Sequence, residues 1–561
     1  MKLSGQFHVF WALVAILFVG SQVCGCEEDD GDKVDAGTDA GDAGGDTDTD
    51  TDTNPDFEID PQRIHDDVAW LADDERGGRK PGTEGNEAAL DYVTSLLEEL
   101  GLDAESDAHF RQPFSYQAWA ITGDAAAVID TTDLDYGTDY QIFAYSGSGD
   151  VTAEMVFVGH GMTVPAFSAA AYPDCPLPES GYDDFDGIDV TGKIALVIRH
   201  GPDDLEAIHD NCPANSVCNS TPCLWNFGYK ANNAAAHGAV GMLMVNHYQI
   251  GGAVEAGGTI GEEYYDDDFP SLFLDRGVVE AAVPNLETWS GTIDSTLQPN
   301  SQATGVNATI EVSSGVEDTG TENLLAVFEG TDPVLKDEVI LIGAHIDHLG
   351  IDPISGEIFN GANDNASGSA VNMELARAMA LSGIQPARTV VIAWWNAEEV
   401  GLIGSCYYVD NPSIPIANMI AAYSVDMVGS GNGMGVMVSG GEVAANSWLV
   451  DVMSGSSEEQ GHDYLVSPAE ATQNSDHACF AQAGVSAVMV ATLGEHGFYH
   501  TPQDTIDKIL VDDLAAAAYL MWALLEPVAM GMEGLYTGDK SPTTLFDPRD
   551  ADARDWRNRG L

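Results

Sequence analysis

The sequence is short of basic residues. Of its 561 residues, 20 are Lys or Arg and 91 are Asp or Glu, which gives a formal net charge of −71 at pH 7. Binding to nucleic acid depends on Lys and Arg side chains that neutralise phosphates. A chain this acidic repels anions, so we expect no nucleic-acid partner.

The N-terminus lacks an apolar run long enough for a confident membrane span, which needs about 18 residues. Its apolar stretch runs from about Phe7 to Val19 and is followed by Val23-Cys24-Gly25-Cys26. This pattern is typical of a signal peptide over residues 1–26, and the last four residues resemble a bacterial lipobox. An ordinary secretory signal is the alternative. We expect an exported lipoprotein of the cell envelope, whose membrane contact is a lipid on Cys26.

Cysteine pairs with the C-x2-C spacing of common zinc sites are also missing. In an oxidising compartment the cysteines beyond the N-terminal segment favour disulfides. The sequence predicts two bridges in a loop-rich region among Cys175, Cys212, Cys218 and Cys223, with a four-cysteine zinc site as the alternative. It predicts that Cys406 and Cys479 are buried free thiols.

Segments that cannot bury a core flank the folded part. Residues 27–57 form a low-complexity acidic tract, which predicts a disordered spacer. Residues 538–561 are polar and predict a loosely attached tail.

Helices and strands alternate in the C-terminal half, which predicts an α/β fold with a layered sheet and helices on both faces. Strands are expected at 323–329, 338–344, 389–395, 419–426 and 485–490, and helices at 61–73, 88–100, 366–382, 398–408 and 510–530. The region near 115–310 has short β-like runs and one clear helix, so it predicts a mainly β insert.

Polar side chains follow several of these strands. His345 and Asp347 come after the strand at 338–344, and an extended segment places them on one face. A carboxylate beside a histidine can orient its ring for metal binding. Asp364 lies in a polar turn before a helix, where capping is its alternative role.

Glu398 and Glu399 are adjacent at the end of an apolar strand. Two semi-buried carboxylates repel each other unless a cation or a proton compensates. A metallohydrolase would use one as a metal ligand and the other as the base that deprotonates water, which suits Glu399 and Glu398 respectively. Favourable acids in the first turn of a helix are the alternative.

Asp426 ends a strand, and His500 lies in a loop flanked by Gly and Pro. Each alone is more often structural than functional. Together with His345, Asp364 and Glu399 they supply two histidines and three carboxylates, a ligand mixture that suits a pair of zinc ions.

These segments resemble the zinc aminopeptidase family that also includes glutamate carboxypeptidases, glutaminyl cyclases and the transferrin receptor. The resemblance is carried, in order, by His345 with Asp347, Asn363-Asp364-Asn365-Ala366-Ser367-Gly368, Glu398-Glu399, Asp426, Ser475-Asp476-His477 and Tyr499-His500-Thr501-Pro502. It implies a catalytic domain over residues 58–115 and 310–537. It also implies two Zn²⁺ ions per chain and peptide substrates that lose their N-terminal residues.

The resemblance also implies a role for each residue. One zinc would be held by His345 and Glu399, the other by Asp426 and His500, with Asp364 between them. Glu398 would activate the water bridged between the ions, Asp347 would orient His345, and Tyr499 would hydrogen-bond the oxyanion.

Residues 116–309 resemble the protease-associated domain found within such peptidases. The similar stretch is Phe185-Asp186-Gly187-Ile188-Asp189-Val190-Thr191-Gly192-Lys193-Ile194-Ala195-Leu196-Val197-Ile198-Arg199. The alternatives to an aminopeptidase are a carboxypeptidase, a single-zinc glutaminyl cyclase and a surface binding protein that keeps its metals for structure.

Overall fold

The computed structural model describes residues 57–102, 111–143, 145–202, 208, 211–213, 224–248, 268–459, 463–494 and 496–530. The predicted signal peptide, Cys26, the spacer apart from Phe57, and the tail at 538–561 lie outside these residues. Within the described part, no helix combines the length and the apolar character that crossing a membrane requires.

The C-terminal half forms a mixed sheet, as predicted. Its strands are β10 (Gln302–Phe328), β11 (Val339–His345), β14 (Thr389–Trp395), β15 (Met419–Val425), β16 (Gly435–Ser439), β17 (Leu465–Ala469) and β18 (Ala487–Thr492). They lie in the order β17-β16-β18-β15-β11-β14-β10. The central strands β14, β11, β15 and β18 are parallel, so their carboxyl ends meet at one edge.

Helices cover both faces of this sheet, which confirms the predicted architecture. They are α1 (Pro61–Leu71), α2 (Glu84–Glu99), α6 (Ser367–Leu381), α7 (Ile403–Asp410), α8 (Ser447–Glu459), α9 (His477–Gln482) and α10 (Val511–Ala529). Along β11, Ile340 and Ile342 belong to the apolar core that includes α1, α6 and α10, whereas Leu341 belongs to a second core with Tyr408 and Phe480. This alternation is the period-two pattern of a strand buried on both faces.

The insert continues the same sheet beyond β10. Its main strands are β3 (Tyr140–Ile142), β4 (Gly149–Phe157), β7 (Ile194–Ile198), β8 (Gly241–Val245) and β9 (Ser271–Leu274). The short strands are β2 (Thr132–Asp133), β5 (Thr163–Val164) and β6 (Tyr182–Asp183), and the helices are α3 (Phe227–Ala236), α4 (Arg276–Ala282) and α5 (Leu286–Thr296). The long strands β1 (Arg111–Ile129) and β10 pair antiparallel and run through both parts, so the predicted boundaries at 115 and 310 fall inside continuous strands.

A helix expected at 398–408 begins later, at Ile403. Ala397 and Leu402 both have a φ of 59°, in the left-handed region, and Gly401 has a φ of 108°. A right-handed helix cannot pass through these residues. Glu398 and Glu399 therefore lie in a turn between β14 and α7, and their predicted alternative as first-turn helix acids is wrong.

Disulfides connect two pairs of the described cysteines. Cys175 and Cys212 are bonded, which fits the bridge predicted for the loop-rich region. Cys218 and Cys223 lie outside the described residues. Cys406 and Cys479 are also bonded to each other, so the prediction that they are free thiols is wrong. Sequence spacing could not reveal this pair, because its residues lie on α7 and α9, which pack against each other only in the folded chain.

We predict that loss of the bridge between Cys406 and Cys479 destabilises the protein. The bond closes a segment with a sequence separation of 73 residues. Constraining the unfolded chain in this way typically contributes about 2–4 kcal/mol. The double variant Cys406→Ser/Cys479→Ser should lose that amount in chemical denaturation, whereas Ser95→Ala, an exposed substitution on α2, should not. An unchanged free energy of unfolding would contradict the prediction.

Candidate metal centre

The predicted ligands come together at the carboxyl edge of the central strands, where ligands of open α/β sheets gather. His345 ends β11, and its Nε2 lies 3.2 Å from Asp364 Oδ1 and 3.4 Å from Asp426 Oδ1. Asp426 directly follows β15. His345, Asp364 and Asp426 are all buried, so one imidazole nitrogen faces two carboxylates away from bulk water.

His500 approaches the same group from the loop after β18. Its Nε2 lies 3.2 Å from Asp364 Oδ2 and 3.0 Å from Glu399 Oε2. Asp364 therefore turns one carboxylate oxygen toward each histidine, which is the arrangement of a bridging ligand. The five predicted ligands lie in one cluster.

The distances favour a pairing different from the one that the resemblance implied. His345 contacts Asp426 and His500 contacts Glu399, whereas the implied pairs were His345 with Glu399 and Asp426 with His500. His345, Asp364 and Glu399 still offer atoms within 4.8 Å of one another, as do His345, Glu398 and Asp426. The closer contacts nevertheless divide the cluster into two halves that share Asp364.

Electrostatics in the cluster favour cations. Burial alone would lower the pKa of both histidines, but the surrounding carboxylates outweigh it. Glu398 and Asp426 raise the pKa of His345 well above its ordinary value, and Glu399 and Asp364 raise that of His500 to about 10. Burial and Asp364 would raise the pKa of Glu399, but His500 and His348 lower it to about 2.

The pKa of Glu398 is shifted in the opposite direction from that of Glu399. Burial first, and then the neighbouring Glu399 and Asp476, raise its pKa well above the ordinary value for a glutamate. Its Oε2 lies 3.9 Å from His345 Nε2, so it borders the half of the cluster that contains His345 and Asp426. The two adjacent glutamates are thus driven in opposite directions, which is the pattern of a ligand beside an acid–base group.

Asp347 holds the turn that carries these glutamates. Its Oδ1 accepts a hydrogen bond from the backbone N–H of Glu398 at 3.2 Å, and its Oδ2 accepts from that of Glu399 at 3.3 Å. The ring Nδ1 of His345 lies 3.2 Å from the backbone carbonyl oxygen of Asp347 and 3.8 Å from its Oδ1. The segment fixes both the histidine and the glutamate pair.

Asp364 is held by a residue whose role the sequence did not suggest. Asp504 accepts hydrogen bonds from the backbone N–H groups of Asn363 at 2.9 Å and Asp364 at 3.0 Å. The peptide bond from Asp364 to Asn365 is cis. The N-cap of α6 is Ala366, which makes no side-chain cap, so the alternative that Asp364 caps the helix is wrong.

Two further buried residues were missed as parts of the site. His348 Nδ1 lies 2.5 Å from Glu399 Oε1. Arg79 donates hydrogen bonds to the backbone carbonyls of Leu71, Ile346, Asn360 and Gly361. His348 follows His345 by three residues and could have been noticed for that reason. Arg79 lies in a stretch, Gly78-Arg79, that also resembles the family, but the resemblance did not suggest that its side chain binds the ligand-bearing loops.

The remaining predicted residues border the cluster. Ser475 Oγ donates to Asp426 Oδ2 at 2.7 Å, which leaves Asp426 Oδ1 buried without a hydrogen-bond partner. Asp476 is buried nearby, and burial raises its pKa to about 7. Tyr499 stacks on His500 with ring centroids 3.7 Å apart and is 53% exposed, so it lies at the solvent side.

This donor set fits divalent metal ions. Imidazole and carboxylate ligands together suit zinc and similar transition metals. Asp426 Oδ1, which is buried and accepts no hydrogen bond, and the crowding of carboxylates around both histidines are costly unless positive charge compensates them. A metal would displace the protons on the histidines, so binding should tighten as pH rises.

We predict that Asp504→Asn weakens metal binding. An amide can accept from only one of the two backbone N–H groups and presents its own N–H groups to the other, so the loop at Asp364 should loosen. We expect zinc affinity, measured by competition with a fluorescent chelator, to fall about 10- to 100-fold, as when other outer-sphere partners are lost. Asp507→Asn, an exposed change in the same loop, is the matched control; equal affinities for both variants would refute the assignment.

Two protein families match the chain. Residues 323–525 match peptidase family M28, and residues 151–282 match the PA domain. An aminopeptidase of Pseudomonas aeruginosa is 30% identical over 377 residues, which cover 65% of this chain and 56% of the relative. The match thus spans little more than half the length of that relative.

Solved structures share the fold. The aminopeptidase from Aneurinibacillus sp. strain AM-1 superimposes with a TM-score of 0.61 at 23% identity, over 84% of this chain and 94% of the other. A zinc aminopeptidase from Bacillus subtilis gives a TM-score of 0.59 at 20% identity, over 87% of this chain and 99% of the other. The chain thus carries a domain of peptidase family M28, matched over residues 323–525, and a PA domain, matched over residues 151–282.

Proposed function

We propose that this protein is a zinc-dependent aminopeptidase that releases N-terminal amino acids from peptides. The observation that carries the proposal is a cluster of two halves that share Asp364. One half contains His345 and Asp426, and the other contains His500 and Glu399. Glu398 lies beside the cluster. The names of the relatives from Pseudomonas and Aneurinibacillus support the same activity.

Two zinc ions would be held by this cluster. His345 and Asp426 would hold one, His500 and Glu399 the other, and Asp364 would contribute one oxygen to each. Zinc ions in such a pair polarise the scissile carbonyl and make water acidic enough to attack near neutral pH. The pairing rests on the contact distances and replaces the one implied by family resemblance.

Glu398 would move the proton. Its carboxylate takes a proton from the attacking water and returns it to the nitrogen of the leaving peptide. Burial and the neighbouring carboxylates raise the pKa of Glu398, which makes its carboxylate a stronger base than a free glutamate. Asp347 keeps it in place through the backbone hydrogen bond to Glu398.

Tyr499 would stabilise the developing oxyanion. Its ring stacks on His500, and partial burial together with the carboxylates of Asp364 and Glu399 raises its pKa, so the hydroxyl keeps its proton. A protonated hydroxyl can donate to a negatively charged oxygen.

The local charge favours an amino terminus over a carboxyl terminus. A free α-amino group is attracted to the carboxylates of the cluster, including the buried Asp476. A carboxypeptidase needs a cation for the terminal carboxylate. Arg79 is near, but its guanidinium is buried and donates to four backbone carbonyls.

Hydrolysis of aminoacyl-arylamides tests the proposal. We expect cleavage of substrates with a free amino group, no cleavage of N-acetylated equivalents, and loss of activity with a chelator that zinc restores. Chelator-sensitive release of C-terminal residues from N-blocked peptides would instead indicate a carboxypeptidase. Absence of chelator-sensitive hydrolysis of any of these substrates would contradict the proposal.

We predict that Glu398→Gln separates proton transfer from metal binding. The amide keeps the shape of the side chain but cannot accept a proton, so kcat should fall about 10²- to 10⁴-fold while zinc content is retained. Glu399→Gln should lose zinc as well as activity, and the exposed change Glu442→Gln should alter neither. Near-normal turnover in Glu398→Gln, measured on zinc-loaded protein, would refute the assigned base.

A further inference from the structure

A short hairpin joins two ligand-bearing segments of the metal centre. We call residues 349–359 the site hairpin; it contains β12 (Gly350–Ile351) and β13 (Ile358–Phe359), which pair antiparallel. His348 directly precedes it, and Asn360 directly follows it on the way to Asp364. A shift of the hairpin would therefore move both segments.

The base of the site hairpin is fixed by the segment before α2. A Cβ atom on Gly78 would lie 2.4 Å from the carbonyl oxygen of Phe359 and 2.5 Å from that of Gly350, so the backbones touch there. Arg79 donates to the carbonyl of Asn360 at 2.6 Å and to that of Gly361 at 2.8 Å. These contacts come from within the catalytic domain.

The tip of the site hairpin is organised by Asp352. Its Oδ1 accepts hydrogen bonds from the backbone N–H groups of Ile354 at 2.9 Å and Ser355 at 2.7 Å. Its backbone N–H donates to the carbonyl of Glu357, and its carbonyl accepts from Gly356. One carboxylate oxygen, Oδ2, remains for a contact outside the hairpin.

That contact comes from the insert. The hydroxyl group of Tyr136 donates to Asp352 Oδ2 at 2.8 Å across 216 residues of sequence. Ile354 packs against the apolar core of the insert, the same core on which Tyr136 packs. The tip is thus held by one hydrogen bond and one apolar contact with the inserted domain.

Contacts within the insert hold the ring of Tyr136 in place. Its ring packs edge-on against Tyr140, which is 2% exposed and begins β3 at the edge of the insert sheet. Tyr140 in turn pairs with Leu274 of β9. Tyr136 lies in the turn between β2 and β3, and its contacts with Tyr140 anchor that turn to the folded sheet of the insert.

From this chain of contacts we infer that Tyr136 is a positioning residue, through which the insert at 116–309 holds the site hairpin and thereby the segments that carry His345 and Asp364. The insert then stabilises the geometry of the metal centre and is more than a passive spacer. Packed and hydrogen-bonded neighbours keep the geometry of a site fixed. This matters because small displacements of the reacting groups lower the reaction rate. The effect on turnover rests on the proposed function.

The test compares three variants of the full-length protein. Tyr136→Phe removes only the hydroxyl group. Ile354→Ala removes the second contact between tip and insert. Tyr229→Phe is the matched control, because Tyr229 packs on the same core but its hydroxyl donates to the carbonyl of Thr163 within the insert.

The first readout is hydrogen–deuterium exchange and does not depend on activity. The amides of Asp352, Ile354, Ser355 and Gly356 should exchange at least about threefold faster in Tyr136→Phe than in the wild type, as expected for the loss of one hydrogen bond of ordinary net strength. Ile354→Ala should show the same direction, and Tyr229→Phe should leave the hairpin unchanged. Unchanged exchange of the hairpin amides in Tyr136→Phe would overturn the inference.

The second readout separates positioning from general stability. Tyr136→Phe and Tyr229→Phe should shift the melting temperature by similar amounts, but only Tyr136→Phe should weaken zinc affinity and lower kcat, each about threefold to tenfold. Equal zinc affinity and equal kcat in the two variants would overturn the positioning role. A wild-type protein with no peptidase activity would contradict the proposed function alone, since exchange and zinc affinity still report on the hairpin.

Discussion

The arrangement of the site follows from an excess of negative charge in a buried place. Asp364, Glu398, Glu399 and Asp426 lie together around two histidines, with Asp347 and Asp476 close behind. Carboxylates in a low-dielectric interior repel one another strongly, and this repulsion must be compensated. Protons on His345 and His500 compensate it in part, and two divalent cations would do so more completely.

The fold makes this concentration of charge possible. Four parallel strands end at one edge, so short turns bring His345, Glu398, Glu399 and Asp426 together without long flexible loops. The turns are held by side chains that bond to the backbone, among them Asp347, Asp504 and Arg79. These residues hold the backbone that carries the ligands.

Much of the fold and the ligand set could be predicted from the sequence, because both leave local signals. Apolar runs of strand length followed by polar residues predicted β11, β14 and β15, and the neighbouring pair Glu398 and Glu399 was unusual enough to indicate a metal or acid–base role. Prediction failed where a feature depends on three-dimensional proximity. The bond between Cys406 and Cys479, the hydrogen bonds of Asp504 and Arg79, and the pairing of histidines with carboxylates all join residues distant in sequence.

The late start of α7 had a different cause. Its apolar pattern is compatible with a helix from Glu398, but left-handed residues at Ala397 and Leu402 interrupt it. That local conformation turns Glu398 and Glu399 toward His345 and His500. Tertiary contacts of the site determine the conformation of residues 397–402, because helix propensity is a weak determinant when such contacts oppose it.

The most direct test of the central claim is anomalous X-ray diffraction at the zinc absorption edge from crystals of the zinc-loaded protein. We predict two peaks about 3.5–4 Å apart, as in other two-metal sites. One peak should lie between His345 and Asp426, the other between His500 and Glu399, with Asp364 between the two. A single peak, or peaks away from these side chains, would contradict the account.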